Sequence, residues 1–242
     1  MKILKIAVFI LPLTLSFAED SQWQDFENNL YIGGAYSINN ATIKQFGSSS
    51  SNSGLLNLGA TALFDNNLYL NLEGSGNFNS SSNFVGDWYS ATLKVGYAID
   101  IQQFNFITYV MGGYGNTGAY FSTAVNPSYG IGLLSEFMIS SSWLIYADFN
   151  YIWQSYGSEL AADFNKNVLN NYVSYQLDGV PSNYGINIGV KYVTDKGYYI
   201  SPFFKYQNYQ QSFGYFSGNI NYGTLTPAIN QYQFGINFGL VM

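Results

Sequence analysis

The sequence predicts an all-β protein whose single antiparallel sheet closes into a barrel that spans a membrane. Two observations predict this fold. Apolar residues recur at every second position in ten segments, and these segments are joined by short and long connections in alternation. A strand directs successive side chains to opposite faces, so the alternation indicates strands with one apolar and one polar face. Ten strands fit the pattern best, with eight or twelve as alternatives.

The clearest alternation lies in residues 184–194, "YGINIGVKYVT", and residues 88–99, "WYSATLKVGYAI", repeat it. The second face carries Gly185, Asn187, Gly189 and Lys191 in the first segment and Ser90, Thr92, Lys94, Gly96 and Ala98 in the second. Weaker patterns lie at about residues 29–39, 55–64, 68–79, 104–119, 127–139, 143–156, 198–211 and 231–242. The stretch from Phe104 to Met111 is apolar on both faces, so its orientation stays open.

The connections support a membrane barrel over a soluble sandwich. Short turns occur at "DNN" (65), "DIQQ" (100), "SSS" (140) and "DKG" (195), and long polar connections at 40–54, 79–87, 120–127, 157–182 and 212–230. Antiparallel order places every short turn at one end of the sheet. Short periplasmic turns opposite long extracellular loops are typical of outer-membrane barrels. A soluble sandwich has no reason to separate its loops in this way.

Two of the long connections have features of their own. The low-complexity stretch "GSSSSNSG" at 47–54 predicts a flexible exposed tip. In residues 157–182, Phe164, Val168 and Tyr172 are spaced at i, i+4 and i+8, which fits helical turns over the outer mouth. A mobile surface loop explains the same stretch equally well.

Composition excludes several classes of function. Charged residues make up only 9% of the chain, whereas about 25% is usual in soluble proteins. The chain has no Cys, no His and no Arg, which removes disulfides, the commonest general base and the commonest metal ligands. The net charge of -6 disfavours nucleic acid as a partner. We therefore predict no catalytic residue, no metal, no cofactor and no enzymatic activity.

The first residues, "MKILKIAVFILPLTLSFAED", predict a cleaved signal peptide over residues 1–18. Lys2 and Lys5 precede an apolar stretch, and Ser16-Phe17-Ala18 supplies the small residues that favour cleavage. A periplasmic N-terminal segment is expected at residues 19–28 and the transmembrane barrel at residues 29–242.

The chain ends in "YQFGINFGLVM", in which apolar residues alternate back from the terminus. Together with the signal peptide and the ten segments, this ending resembles Gram-negative outer-membrane β-barrel proteins over nearly the whole mature chain. The resemblance implies a location in the outer membrane, contact with its lipid and lipopolysaccharide, and recognition by the barrel-assembly machinery. It also implies that the C-terminal assembly signal is formed by Phe234, Ile236, Phe238, Leu240 and Met242. Met242 departs from the terminal aromatic residue that is commonest in such proteins.

The resemblance also bears on activity. Outer-membrane proteases, lipid A deacylases and phospholipases depend on a catalytic His, and a palmitoyltransferase-like activity normally involves one. This chain has no His. The resemblance therefore implies a barrel without these activities.

Charged residues fall on the polar phase of their strands, where they would face the lumen. This predicted charge belt comprises Glu73, Lys94, Glu136, Asp148, Lys191 and Lys205. Glu73 with Lys94, and Asp148 with Lys191, lie on sequential strands and can pair across the sheet. The belt fits an ion-pair network that fills the barrel, a charged constriction in a narrow pore, or a carboxylate pair of Glu136 and Asp148.

The tryptophans Trp88, Trp143 and Trp153 fall at predicted strand ends, where interface aromatics of a membrane barrel are expected. Ordinary sheet aromatics explain them equally well. For function we expect a barrel with a narrow polar lumen that serves envelope structure or passive passage of small solutes. The alternative is a surface-exposed adhesion or binding protein that acts through its long extracellular loops.

Overall fold

The computed structural model describes residues 23–43, 47–80, 89–116, 126–154, 174–217, 220–225 and 228–242. The elements are α1 (Gln24–Glu27), β1 (Asn29–Ile43), β2 (Gly47–Leu63), β3 (Leu68–Ser80), β4 (Tyr89–Ile101), β5 (Phe104–Asn116), β6 (Asn126–Ser140), β7 (Trp143–Gln154), β8 (Ser174–Val193), β9 (Tyr198–Ser217), β10 (Ile220–Leu225) and β11 (Ala228–Val241). Among these residues, no helix is both long enough and apolar enough to cross a membrane.

Ten strands close into an antiparallel barrel, as the sequence predicts. Each strand from β1 to β8 pairs with the next one along the chain, β8 pairs with β9, and β9 pairs with β11. β11 then closes the ring against β1, with Leu30 opposite Leu240 and Tyr36 opposite Phe234. β10 pairs with β9 beyond the ring, inside the stretch 212–230 that the sequence predicts as loop.

All described short turns lie at one end of the barrel, here called the turn end, together with the start of β1 and the end of β11. The other end is the loop end. The "DNN" and "DKG" turns have the same form, because Phe64 N–H donates to Leu68 O and Thr194 N–H donates to Tyr198 O. Asn67 and Gly197 take the left-handed conformation that a three-residue hairpin loop needs, at φ 64° and 76°. These residue types are favoured at that position.

The predicted loop at 40–54 is wrong, and so is the flexible tip at 47–54. β1 and β2 stay in register as far as Ile43 opposite Gly47, so "GSSSSNSG" is part of β2. Ser51 and Ser53 are buried on the inward phase of this strand. The sequence pattern missed the extension because both faces of these strand ends are polar, so no apolar alternation marks them. The helical turns considered at Phe164, Val168 and Tyr172 lie outside the described residues.

The outer face of the barrel is apolar and has aromatic residues near both ends. Ile188, for example, is 42% exposed and lies on β8 between the outward-facing Tyr184 and Tyr192. Towards the turn end Trp143 packs on Tyr192, with ring centroids 4.6 Å apart. The loop-end aromatics include a cluster formed by Tyr129, Tyr151 and Trp153. Trp88 lies outside the described residues. Two aromatic girdles around an apolar band are the outer surface of a transmembrane barrel.

Inside the barrel, aromatic rings lie over glycines on neighbouring strands. The directly opposed pairs are Tyr31 with Gly59, Tyr109 with Gly132, Tyr146 with Gly189, Phe203 with Gly235, and Tyr199 with Gly239. In each pair a Cβ atom on the glycine would overlap the ring. The glycines therefore let large side chains lie flat against the wall, and this contact fixes the direction of each ring. Covering a strand glycine with an opposed aromatic is a known means of pinning register.

Replacing Gly132 by Ala should destabilise the barrel by about 1–3 kcal/mol, since the new methyl group displaces the Tyr109 ring. Gly112→Ala is the matched control, because nothing lies within 4 Å of a Cβ at this outward-facing position. The midpoint of guanidinium unfolding in detergent micelles, followed by tryptophan fluorescence, measures both variants. Equal losses at the two sites would contradict the role of the ring contact.

Candidate functional site: the lumen

The N-terminal residues Trp23–Asn28 lie inside the turn end of the barrel and are here called the plug. Trp23, Phe26 and Glu27 are spaced at i, i+3 and i+4 around the single turn of α1, which places them on one face. All three are buried, and Phe26 is only 1% exposed. Asn28 fixes the connection to the barrel, since Leu63 N–H donates to its Oδ1 and Met242 N–H donates to its carbonyl.

The plug packs into an apolar collar at the turn end of the lumen. Trp23 and Phe26 join the collar residues Leu63, Tyr69, Ala98, Ile107, Leu134, Met138 and Leu144 in one buried cluster. This collar also resolves the ambiguous stretch from Phe104 to Met111. Asn105, Ile107 and Tyr109 are buried on the inward phase, while Phe104 and Val110 are exposed on the outside. Both faces of β5 are apolar there because one meets the membrane and the other meets the collar.

Lys191 anchors the plug electrostatically. Its Nζ donates to Glu27 Oε1 at 2.6 Å and to the Phe26 carbonyl at 2.8 Å. Gln24 adds a hydrogen bond from its Nε2 to Asp65 Oδ1 in the first short turn. The predicted pairing of Lys191 with Asp148 is therefore replaced by a contact to the plug. The sequence did not point to Glu27, although its spacing from Trp23 and Phe26 was a readable signal.

Above the plug, two ion pairs cross the lumen and form what is here called the charge layer. Lys94 Nζ on β4 lies 2.7 Å from Asp148 Oδ2 on β7, with β5 and β6 between the two strands. Lys205 Nζ on β9 lies 3.7 Å from Glu73 Oε1 on β3. Lys94 therefore pairs with Asp148, where the sequence pattern suggested Glu73. Pairs that span the interior tie opposite walls together, which pairs between neighbouring strands cannot do.

Tyrosines and amides support the charges. The Tyr109 hydroxyl donates to Asp148 Oδ1, and Lys94 Nζ lies 5.0 Å from the centre of the Tyr109 ring. Asp148 is thus held on both oxygens, because Lys94 contacts its Oδ2. Glu136 lies nearer the turn end, is only 2% exposed, and accepts a hydrogen bond of 2.8 Å from Asn105 Nδ2. All six residues of the predicted belt face the lumen, and Glu27 from the plug joins them.

Neutral amides fill the β1 and β11 side of the lumen towards the loop end. Gln231 Nε2 donates to Asn39 Oδ1 at 2.9 Å, and Gln233 Nε2 donates to Gln231 Oε1 at 2.8 Å. Ser37 is fully buried beside them and donates to Asn39. The polar phase of the C-terminal strand therefore packs against β1 through hydrogen bonds.

Two small cavities remain in the lumen, one on each side of the charge layer. The outer cavity, on the loop side, has a volume of about 70 Å³, and the inner cavity, on the plug side, about 90 Å³. Glu73, Lys94, Asp148 and Asn187 line both. A water molecule needs about 10–15 Å³ of such space, so each cavity has room for several waters. Polar and charged residues make up most of the lining of both cavities.

The lumen offers no evident metal centre. The described residues contain no group of three or more His, Cys, Asp or Glu side chains placed to hold a metal ion. The charged and polar side chains of the lumen can provide charge pairing and hydrogen bonding.

A closed ten-strand barrel with an apolar outer band, two aromatic girdles and a charged, polar interior defines the class of protein. It is a transmembrane β-barrel of the outer-membrane type. No protein-family model and no curated protein sequence matches the chain.

Among solved structures, the barrel is similar to the outer-membrane protease OmpT from Escherichia coli, with a TM-score of 0.49 and 7% identity, covering 88% of this chain and 97% of that one. It is also similar to the COG4313 outer-membrane channel from Pseudomonas putida F1, at TM-score 0.45 and 13% identity over 93% and 100% of the two chains. For the KdgM porin the TM-score is 0.38 at 9% identity, over 84% and 98%. These similarities concern the fold alone, so the function has to be argued from the residues of this chain.

Replacing Lys94 by Met should destabilise the barrel by about 3–5 kcal/mol, because it leaves the buried Asp148 without its cation. The double variant Lys94→Met/Asp148→Asn should recover part of this loss, since no buried charge is then unpaired. Lys196→Met in the exposed "DKG" turn is the control and should change little. Guanidinium unfolding in micelles measures all three. A double variant that is less stable than the single one would contradict the pairing.

Proposed function

We propose that this protein is an outer-membrane barrel that admits water and small solutes from the loop end into a narrow polar lumen. The plug closes the turn end, and passage across the membrane requires the plug to move. The observation that carries this proposal is the pair of polar cavities on the two sides of the charge layer. A barrel that served structure alone could fill this space with apolar side chains.

The lining of the lumen sets the size and the chemistry of what can enter. The outer cavity is lined by hydroxyls of Ser90, Thr92 and Ser128 and by amides of Asn150 and Asn187. These groups can replace the hydration of a small polar solute. The cross-lumen pair of Lys94 and Asp148 then limits passage to solutes small enough to go around it.

The plug accounts for a closed resting state. Trp23 and Phe26 bury their rings in the apolar collar, and burial of large apolar side chains stabilises by about 1.5–3 kcal/mol each. The plug precedes β1 and belongs to no strand of the ring. It can therefore leave the collar without breaking the barrel ladder, once its contacts with Lys191 and Asp65 are released. Once it has left, the collar and the inner cavity open to the turn end.

The location and assembly follow from the same proposal. We infer that residues 1–18 are a signal peptide removed on export, that the short turns face the periplasm, and that outer-membrane lipid and lipopolysaccharide surround the apolar band. An exposed row at the C-terminal end is then available to the barrel-assembly machinery. It comprises Phe234, Ile236, Phe238 and Leu240 on β11 and Met242 directly after it. We propose no enzymatic role and no nucleic-acid partner.

Conductance across a planar bilayer tests the proposal. The mature protein should give small, infrequent channel events, and Trp23→Ala/Phe26→Ala should raise the open probability at least tenfold, because it weakens the plug in its collar. The control Phe104→Ala/Trp143→Ala removes two aromatic rings from the outer face and should leave the events unchanged. Folded protein, judged by its heat-dependent mobility on gels, that never conducts in either form would refute passage through the lumen.

A second function, binding at the cell surface, is favoured by the length of two strands. β8 and β9 have 20 residues each, whereas about 9–11 residues suffice to cross a bilayer. The ladder continues as far as Ser174 opposite Phe216, and β10 adds a further strand to β9. The sheet therefore rises beyond the membrane at the loop end, where it presents a surface to other molecules.

Replacing residues 213–225 with the turn Asn-Gly tests this second function, because it removes the β9–β10 hairpin above the barrel. Cells that display the shortened protein should adhere at least fivefold less than cells with the intact protein to any surface that the intact protein binds. The Lys196→Met variant, altered at the opposite end, should adhere normally. Unchanged adhesion of the shortened protein would exclude this hairpin as the binding surface.

A further inference from the structure

We propose that the outer cavity is a binding site for a small zwitterionic solute such as a free amino acid. The ammonium group of the solute pairs with Glu73 and its carboxylate pairs with Lys205. The site rests on the proposed function in one respect, since the solute must reach the lumen from the loop end. Three properties of the cavity lead to this assignment.

The first property is a loose ion pair. Lys205 and Glu73 are 3.7 Å apart, compared with 2.7 Å for Lys94 and Asp148, so they do not form a close hydrogen bond. Their side chains are 21% and 28% exposed, against 13% and 7% for the tight pair. A partly hydrated pair at this distance is held less firmly than the close pair of Lys94 and Asp148. A solute that brings a counter-charge to each of the two groups can therefore separate them, whereas Lys94 and Asp148 stay together.

The second property is a shortage of hydrogen-bond donors. The Oδ1 atoms of Asn150 and Asn187 are buried and have no hydrogen-bond partner among the described residues. Both residues line the outer cavity beside Glu73 and Lys205. An ammonium group has three N–H donors, of which Glu73 can accept one. The amide oxygens of Asn150 and Asn187 can accept the others when these side chains turn towards the cavity, whereas a carboxylate alone has no N–H to donate to them.

The third property is charge balance. The cavity is lined by two acids, Glu73 and Asp148, and two lysines, Lys94 and Lys205. A lone cation or a lone anion would break the loose pair and leave one partner without a counter-charge in a confined space, which is costly. A zwitterion supplies a counter-charge to both at once. A neutral sugar would leave the pair intact and gain only neutral hydrogen bonds.

The volume agrees with a small solute. About 70 Å³ is room for several waters, which can hydrate both charges. An ammonium and a carboxylate that take the places of these waters reproduce their hydrogen bonds, so the exchange loses little enthalpy. A large side chain on the solute has no room beside Met111 and Ile152 and would have to point to the loop end.

Isothermal titration calorimetry on the folded mature protein in detergent micelles tests the site. The probes are glycine as the zwitterion, methylammonium and acetate as its two halves, and glucose as the neutral solute. Glycine should bind at least tenfold more tightly than any of the other three. Glu73→Gln and Lys205→Met should each lower glycine affinity at least tenfold, while Lys205→Arg should retain most of it. Asp195→Asn and Lys196→Met, exposed in the turn at the opposite end, are matched controls and should bind normally.

Several results would overturn the assignment. Equal affinity for glycine and methylammonium would make the cavity a cation site, and equal affinity for glucose would make it a neutral hydrogen-bonding site. An absence of glycine binding to folded protein would remove the site altogether. Glycine binding by a protein that never conducts would support the site and refute passage, and conductance without glycine binding would do the reverse.

Discussion

A sheet that crosses hydrocarbon cannot leave an open edge, because no water is present there to pair with free N–H and C=O groups. This constraint joins the two ends of the chain in space. β1 and β11 run side by side from Asn29 opposite Val241 to Thr42 opposite Ala228, so closure needs the last strand as much as the first. Once the ring has ten strands, its interior has a fixed volume that the inward side chains must fill or leave to water.

The interior is filled by different means at different depths. At the turn end the plug and its collar form an apolar core, higher up ion pairs join opposite walls, and towards the loop end neutral amides pack on one side. Glycines opposite aromatic rings connect these layers, since Tyr109 lies over Gly132 and also donates to Asp148. The rings take up volume without pushing the walls apart, and in doing so they position the charged groups.

The strands were predictable from the sequence wherever one face meets lipid, because there the apolar alternation is strong. Ile188 and its neighbours on β8 are an example. The short turns at "DNN" and "DKG" were predictable for another reason, which is that their residue types favour turns. The pattern failed where the two faces of a strand have the same polarity. The strand at 47–54 is polar on both faces, and the stretch at 104–111 is apolar on both because β5 lies between membrane and collar.

The pairing of the lumen charges could not be read from the sequence, for a reason of geometry. Alternation determines which side of the wall a residue faces, but a side chain that faces inward can reach any other wall of a narrow barrel. Lys94 therefore has neighbours on both sides and opposite it, and it pairs with Asp148 three strands away. Lys191 reaches Glu27, which lies on no strand. The tight pairs use these partners, so Glu73 and Lys205 are left as the loose pair that faces the outer cavity. The solute chemistry that we propose for the lumen follows from this loose pair.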